Sequence, residues 1–416
     1  MLRRPAAILA LLTGLNLLNY LDRLVVSAVL PRIQTEFSLS NFQGGLLATV
    51  FLVGYFLTSP IFGALGDRVP RKGLIAIGVG VWSAATIASG FATGLWSLLA
   101  ARVMVGVGEA SYATLAPTII DDLTAPDKKG RALAVFYIAA PVGGALGYLV
   151  GGAVEQHWGW RSAFFVAGGP GVALALACLL IAEPERKIAK DKANIGRDVK
   201  RLARMPLYRQ GVLGYCAQTA AIGAFSYWAP KFLVTRYAIP LATANFRFGI
   251  ITVLGGAIGT LAGGRWADAA LRRATDEHGR VTGLLRVCAV GSLVGGPLAA
   301  AAFLAPSANL FFVLVFFAIA FLFLVTSPIN AVVLQAVPTE LRASAMALSI
   351  FSIHALGDLW SPPLVGWLAD VMPISLAMMA LPVAILVSAA TWWPRKHTST
   401  LGSDRNTRAE ASNNTR

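Results

Sequence analysis

Twelve stretches of about 20 mainly apolar residues run through the chain, at roughly 6–30, 43–65, 74–94, 96–120, 131–153, 162–182, 210–233, 246–266, 281–304, 309–336, 343–368 and 374–393. Each is long enough to cross the hydrocarbon core of a bilayer as an α-helix, which takes about 20 residues. In lipid no water satisfies the backbone, so successive segments of this length form helices packed side by side. Of the 416 residues, 56% are hydrophobic and 13% charged, against about 45–50% apolar residues in a soluble domain. The sequence therefore predicts an all-α, multi-pass membrane protein. Arg3 and Arg4 precede the first segment, as in a signal peptide, but its apolar run exceeds a signal core of about 7–15 residues. It reads as a retained first helix.

With a cytoplasmic N terminus, 28 of the 35 Lys and Arg residues fall in the tails and the loops on that side, 5 in the opposite loops and 2 within helices. That bias obeys the positive-inside rule and predicts an inner-membrane protein with both termini cytoplasmic. The net charge of +15 is spread over short loops, which suits anionic headgroups of membrane lipids and argues against nucleic acid. Cys178, Cys216 and Cys288 lie in apolar segments without paired spacing or a neighbouring His, so packing is their expected role rather than a disulfide or a zinc site. Gly106 and Gly108 sit inside an apolar helix with no preceding strand, and no P-loop pattern occurs. No enzyme activity, cofactor or metal is expected.

The long polar segment EPERKIAKDKANIGRDVKRLARMPLYRQ carries nine Lys or Arg residues across 183–210. It divides the chain into an N-terminal six-helix bundle (1–182), a linker (183–209), a C-terminal six-helix bundle (210–394) and a polar tail (395–416). Val199 and Leu202 among these bases suit a short amphipathic helix on the headgroups, with a solvated tether as the alternative. The halves echo each other. After the second segment stands GALGDRVPRKG, where Gly63 precedes Asp67 by four and Arg71 and Lys72 follow it by four and five. After the eighth, Gly264, Asp268, Arg272 and Arg273 of GRWADAALRR repeat those offsets 201 residues later. Weaker echoes, Gly followed four residues later by an acid, occur at Gly151 and Glu155 and at Gly366 and Asp370. Four echoes at three-helix intervals imply a three-plus-three repeat nested in each half.

Physically the repeated loop reads as a hinge latch. Gly permits close helix approach, the acid can meet a neighbouring helix's positive N terminus, and the bases hold the loop at the inner surface. Asp67, Arg68, Arg71 and Asp268 are thus the gating candidates; a generic topogenic basic loop is the competing reading. This pattern resembles the signature loop of the major facilitator superfamily, which implies twelve transmembrane helices in two six-helix bundles. Pro70 stands where that family usually has Gly, and Ala269 where the first half has Arg68.

Several charged residues interrupt the apolar runs. Asn16, Asn19 and Arg23 share a stripe of the first helix with Asp22 on the adjoining edge, and Arg102 and Glu109 lie seven residues apart on one face of the fourth. They are separated by about 10 Å at 1.5 Å per residue. Charges at this depth do not face lipid. If both helices line one cavity, as the superfamily resemblance implies, the four charges form a ladder in which protonating one acid frees its base for an anion. A static ion-pair network that only fixes packing is the alternative. Adjacency suggests that Asp22 is held charged by Arg23, leaving Glu109 as the better proton site. In the eleventh segment His354 and Asp358 at i, i+4 form a relay or gate candidate. Gly143, Gly147 and Gly151 of the fifth allow another helix to approach closely.

The stretches LNYLDR, IFGALGDRVPRK, GEASYATLAPTIIDDL, FYIAAPVGGALGY and HALGDLWSPPLVG together resemble the Spinster family of lipid transporters, most specifically in the fourth helix. The resemblance implies a carrier of amphipathic lipids such as lysophospholipids or sphingolipids, and marks Asp22, Arg23, Arg102 and Glu109 as its coupling and headgroup cluster. Glu109 and Asp22 are then the proton-coupling candidates. Arg23, Arg102, Asn19, Tyr112, His354 and Asp358 are the substrate-binding candidates. The expected partners are protons and an amphipathic lipid or organic anion, handled by a monomer that alternates between inward-open and outward-open states. A carrier of a soluble organic anion or drug, and a non-transporting lipid sensor, are the alternatives.

Overall fold

The computed structural model describes residues 4–125, 128–183 and 195–394; the polar tail from 395 and most of the linker's N-terminal part lie outside the described residues. Six long helices come first: α1 (Pro5–Phe37), α2 (Asn41–Gly66), α3 (Arg71–Gly90), α4 (Leu95–Leu123), α5 (Lys129–Trp158) and α6 (Trp160–Leu179). After the short α7 (Ile195–Ala203) come α8 (Pro206–Tyr237), α9 (Leu241–Arg273), α10 (Glu277–Leu304), α11 (Ala308–Leu324) and α12 (Thr326–Gln335). The chain closes with α13 (Arg342–Ile353), a π-helical turn over His354–Asp358, α14 (Ser361–Val371), α15 (Ile374–Ala377) and α16 (Ala380–Trp392). Among the described residues ten helical stretches are long and apolar enough to cross a membrane. The polar-flanked α8 and the interrupted α13–α14 supply the eleventh and twelfth, as the twelve apolar runs predicted.

The interruptions have local causes. Pro328 has no N–H to offer the carbonyl of Leu324, so the tenth crossing breaks between α11 and α12. The freed Leu324 carbonyl faces α9 at Gly263, where a Cβ would strike it. In the eleventh crossing the Leu359 N–H reaches back five residues to His354 O at 3.0 Å. The Leu359 carbonyl, whose helical donor would be Pro363, accepts instead from Thr49 Oγ1 of α2 at 2.6 Å.

Duplication shows in the backbone as well as in the loops. α1 and α8 both end on a left-handed residue, Ser38 and Ala238, each with φ 52°. The glycine stripe of α5 packs as expected: a Cβ at Gly143 or Gly147 would meet the backbone carbonyl of Leu17 or Leu21 on α1. The motif glycines behave otherwise. A Cβ at Gly63 or Gly264 would have only ordinary contact, 3.8 Å from Thr114 Cγ2 or Ser327 Oγ. The tight approaches fall on nearby Gly66, against Leu115, and Gly263, because helix rotation sets which position of the turn faces the neighbour.

Linker helix α7 is amphipathic, but it docks on protein. Leu202 is fully buried in a cluster with Tyr208, Val333 and Leu341, and Asp198 accepts from Ser344 Oγ at 2.8 Å.

Hydrogen bonds between the halves gather at the end of the bundle remote from the N terminus, here called the distal end. Ser27 Oγ donates to Tyr227 O at 2.6 Å, Tyr227 Oη to Gly44 O at 2.6 Å, Tyr148 Oη to Ser226 O at 2.6 Å, and Asn245 Nδ2 to Ala28 O at 2.9 Å. Around them Val25, Val29, Phe225, Trp228 and Phe248 form one buried core. The distal end is closed.

Candidate functional site

Along α1 the polar residues Asn16, Asn19 and Asp22 recur every three residues and point into the N-terminal bundle, with relative exposures of 5%, 2% and 0%. Asn16 Nδ2 donates to Phe136 O of α5 at 2.9 Å. On α4, Arg102 and Glu109 are sealed to the same degree. Of the four charges Arg23 keeps the most exposed surface, 19% of its side chain against 3% for Arg102.

Successive helical residues point about 100° apart and do not face each other, so the pairing of Asp22 with Arg23 suggested by adjacency does not form. Arg23 Nε donates to Glu109 Oε2 at 2.8 Å. Asp22 turns to α3, where Thr86 Oγ1 donates to its Oδ2. Arg102 Nη1 stands 3.8 Å from Asp22 Oδ1, an electrostatic partner beyond hydrogen-bond reach. The cluster is a crossed pair rather than a simple ladder. Between the two guanidiniums lies the ring of Phe51, 5.0 Å from Arg23 Cζ and 5.1 Å from Arg102 Cζ. Tyr20 and Tyr55 add faces at 5.0 and 5.5 Å from Arg23 Cζ. Three aromatic rings thus orient Arg23 while its charge answers Glu109.

Tyr112 does not join the charged cluster. It is 1% exposed, its hydroxyl donates to Leu12 O, and its ring packs on Trp82 and Phe136. His354 and Asp358 do meet: Nδ1 lies 2.9 Å from both carboxylate oxygens across the π-helical turn. Both are partly exposed. Their neighbours are Phe56, 6.0 Å from the imidazole, and Gly223 of α8, where a Cβ would strike Asp358. They form a second polar site, apart from the four charges.

Among the gating candidates, Asp67 and Arg68 are exposed at the end of α2, as is Asp268 on α9. Arg71 is not a headgroup anchor. It is 6% exposed and bonded to Asp122 Oδ2 at 2.7 Å, Thr118 Oγ1 at 3.1 Å and Glu183 Oε1 at 3.2 Å. Glu183, expected in the linker, accepts from the Arg71 and Lys72 N–H groups at 2.8 and 3.1 Å, neutralising the positive N terminus of α3.

The meeting of an acid with a neighbouring helix's N terminus occurs between halves at the weaker echo. Asp370 Oδ1 and Oδ2 accept from the Asn41 and Phe42 N–H groups of α2 at 2.7 and 2.9 Å, and Asn41 Nδ2 donates to Ala369 O at 3.0 Å. Gly366 admits the carbonyl of Asn41 where a Cβ would stand. Beside it Lys231 Nζ donates to Gln34 Oε1 at 2.6 Å and to Asn41 Oδ1. The Gly-x-x-x-Asp spacing marked Gly366 and Asp370 as a weaker echo, outside the gating candidates Asp67, Arg68, Arg71 and Asp268. Thr86 and Phe51 had no signal in the sequence, being an ordinary Thr and an ordinary Phe in apolar helices.

The Major Facilitator Superfamily pattern matches residues 12–357. Protein spinster of Drosophila melanogaster is 35% identical over 370 residues, which span 85% of this chain and 60% of that protein. "Probable sphingolipid transporter spinster homolog 2" of Arabidopsis thaliana is 33% identical over 427 residues, 93% of this chain and 86% of that protein. In structure the chain resembles a bacterial homologue of the human lysosomal transporter Spinster in an inward-facing, unoccupied conformation. The TM-score is 0.82 and the identity 22%, over 94% of this chain and 97% of that one. With a crossed buried charge pair between its first and fourth helices and a fold of two six-helix bundles, the chain belongs to the Spinster family of the major facilitator superfamily.

Proposed function

We propose that this transporter couples protons to the movement of an amphipath with an anionic headgroup, of lysophospholipid or sphingolipid type, by rocking its halves, 1–182 and 210–394, about a central site. The Arabidopsis relative named as a sphingolipid transporter supports the substrate class. Positive-inside charge supports both termini lying in the cytoplasm of an inner membrane, and the carrier is taken to work as a monomer. On that orientation the closed distal end is the outer one.

One observation carries the reading: Arg23, the partly exposed member of the charged cluster, spends its charge on the fully buried Glu109. A proton on Glu109 cancels that attraction and frees a guanidinium fork suited to phosphate or sulfate oxygens. The lipid's headgroup then takes the place of the carboxylate, so proton and anion load together. Aromatic rings already in place around Arg23 limit the reorganisation this needs.

Purified protein in liposomes, supplied with a labelled lysophospholipid, tests this. Uptake driven by a pH gradient is the expected result. Flux of soluble organic anions alone would replace the lipid by a soluble cargo, and binding without flux would make the protein a sensor.

A further inference from the structure

We infer that Thr86 is a positioning residue that holds Asp22 as the fixed counter-anion of Arg102, so that the exchangeable proton belongs to Glu109. The inference rests on the proton-linked reading above, and it starts from an unusual use of a hydroxyl. Many helical Ser and Thr among the described residues turn back to the carbonyl one turn earlier, as Thr58 does to Gly54, Ser89 to Ala85, Thr252 to Phe248 and Thr391 to Val387. Such bonds satisfy a hydroxyl locally. Thr86 leaves that arrangement and donates across the bundle to Asp22, with both residues at 0% exposure.

Four groups face the Asp22 carboxylate: Arg102 and Glu109 from α4, Arg23 from its own helix, and Thr86 from α3. Arg102 approaches only to 3.8 Å and Arg23 is turned to Glu109. Thr86 therefore makes the one hydrogen bond found to this carboxylate among the described residues. A hydroxyl donating to a carboxylate favours its charged form, and in a site sealed from water no solvent replaces the donor. Glu109 is held differently: its short hydrogen bond comes from Arg23, the group proposed to leave it, while the neutral Asn19 beside it leaves its Nδ2 without a hydrogen bond. One acid is pinned by a neutral donor that stays, the other by a cation that departs. The two carboxylates thus take different roles.

Full-length protein carrying Thr86→Val, which keeps the shape and removes the hydroxyl, is compared with Thr86→Ser, which keeps the hydroxyl. Infrared difference spectra read the C=O stretch of protonated Asp22, assigned by its loss in Asp22→Asn. At one pH near neutrality, Thr86→Val should carry an Asp22 band at least ~3-fold larger than wild type, with maximal uptake reduced ~10-fold and KM for lysophospholipid little changed, the scale of one hydrogen bond to a charged group. Thr86→Ser should restore all three. If Thr86→Val yields too little folded protein, Thr86→Ala replaces it. An Asp22 band equal to wild type overturns the inference even where uptake falls, since the hydroxyl would then only tie α1 to α3. Wild-type uptake that ignores the pH gradient sinks the proton-linked reading instead, while the infrared comparison still decides the role of Thr86.

Discussion

Arg23 and Glu109, 86 residues apart, meet at 2.8 Å between α1 and α4, whereas Arg23 and its sequence neighbour Asp22 face different helices. This crossing separates the acids. Glu109 holds the partly exposed cation Arg23, and Asp22 accepts a hydroxyl from the bundle interior.

Glu109→Gln keeps a hydrogen-bonding side chain for Arg23 but removes the proton site. Gradient-driven uptake should fall at least ~10-fold, while binding and exchange of lysophospholipid persist, because the neutral amide imitates the protonated acid but cannot cycle a proton. In wild type, uptake should rise as the pH on the loading side falls, because protonation releases Arg23; in the variant the profile should be flat. Asp22→Asn should impair both coupled uptake and exchange. Full gradient-driven uptake with unchanged pH dependence in Glu109→Gln would remove Glu109 as the coupling site.

Arg23→Lys retains the charge but loses the planar fork and the stacking on Tyr20, Phe51 and Tyr55. Lysophospholipid should bind ~10-fold more weakly, by titration calorimetry or a scintillation proximity assay, since fork geometry and ring stacking contribute on that scale. Undiminished binding in the double variant Arg23→Ala, Arg102→Ala is the outcome that rejects a headgroup role for either base.

Asp370→Asn should loosen the distal latch. A carboxylate on a helix N terminus is worth about 0.3–2 kcal/mol, so the population open at the distal end should grow several-fold. A cysteine placed at Ser27, buried beneath Tyr227 in the closed state, should react faster with a membrane-impermeant thiol reagent in the variant. Equal labelling rates in both backgrounds would mean that apolar packing alone holds the distal end.

Arg71→Ala leaves Asp122 and Glu183 without their cation. Breaking such a buried arrangement costs about 3–5 kcal/mol, which should appear as a clear fall in Tm. Asp67→Asn, at an exposed helix end, should leave Tm nearly unchanged yet shift engineered cysteines in the proximal cavity toward greater accessibility. An unaltered labelling pattern in folded Asp67→Asn protein excludes a latch role for that residue.

Particular residues show how far the sequence could be read. Twelve crossings were legible because span length is a local property, set by consecutive side chains and the bilayer's thickness. The glycine stripe of α5 was legible for the same reason: its four-residue spacing fixes one face whatever helix meets it. The His354 and Asp358 contact also followed from local spacing, although the π-helical turn that carries it did not. The motif glycines failed this test. Gly66 and Gly263 take the tight contacts expected of Gly63 and Gly264, since a small rotation of the helix moves the point of closest approach. Tyr112 looked like a cavity residue beside Glu109, but three positions along a helix moved it to the interior against Leu12.

The sequence by itself determined that Asp22, Arg23, Arg102 and Glu109 are interior, because hydrocarbon excludes unpaired charge and each lies deep in an apolar run. It also determined the duplicated halves and the Gly-x-x-x-Asp echoes. Tertiary structure alone decided the partners: Arg23 with Glu109, Asp22 with Thr86, Arg71 with Asp122 and Glu183, and Asp370 with the N terminus of α2. Depth in a membrane follows from position along one helix. Partnership depends on how each helix is rotated against its neighbours, where one residue turns a side chain by about 100°, and that rotation is set by packing between segments far apart in the chain.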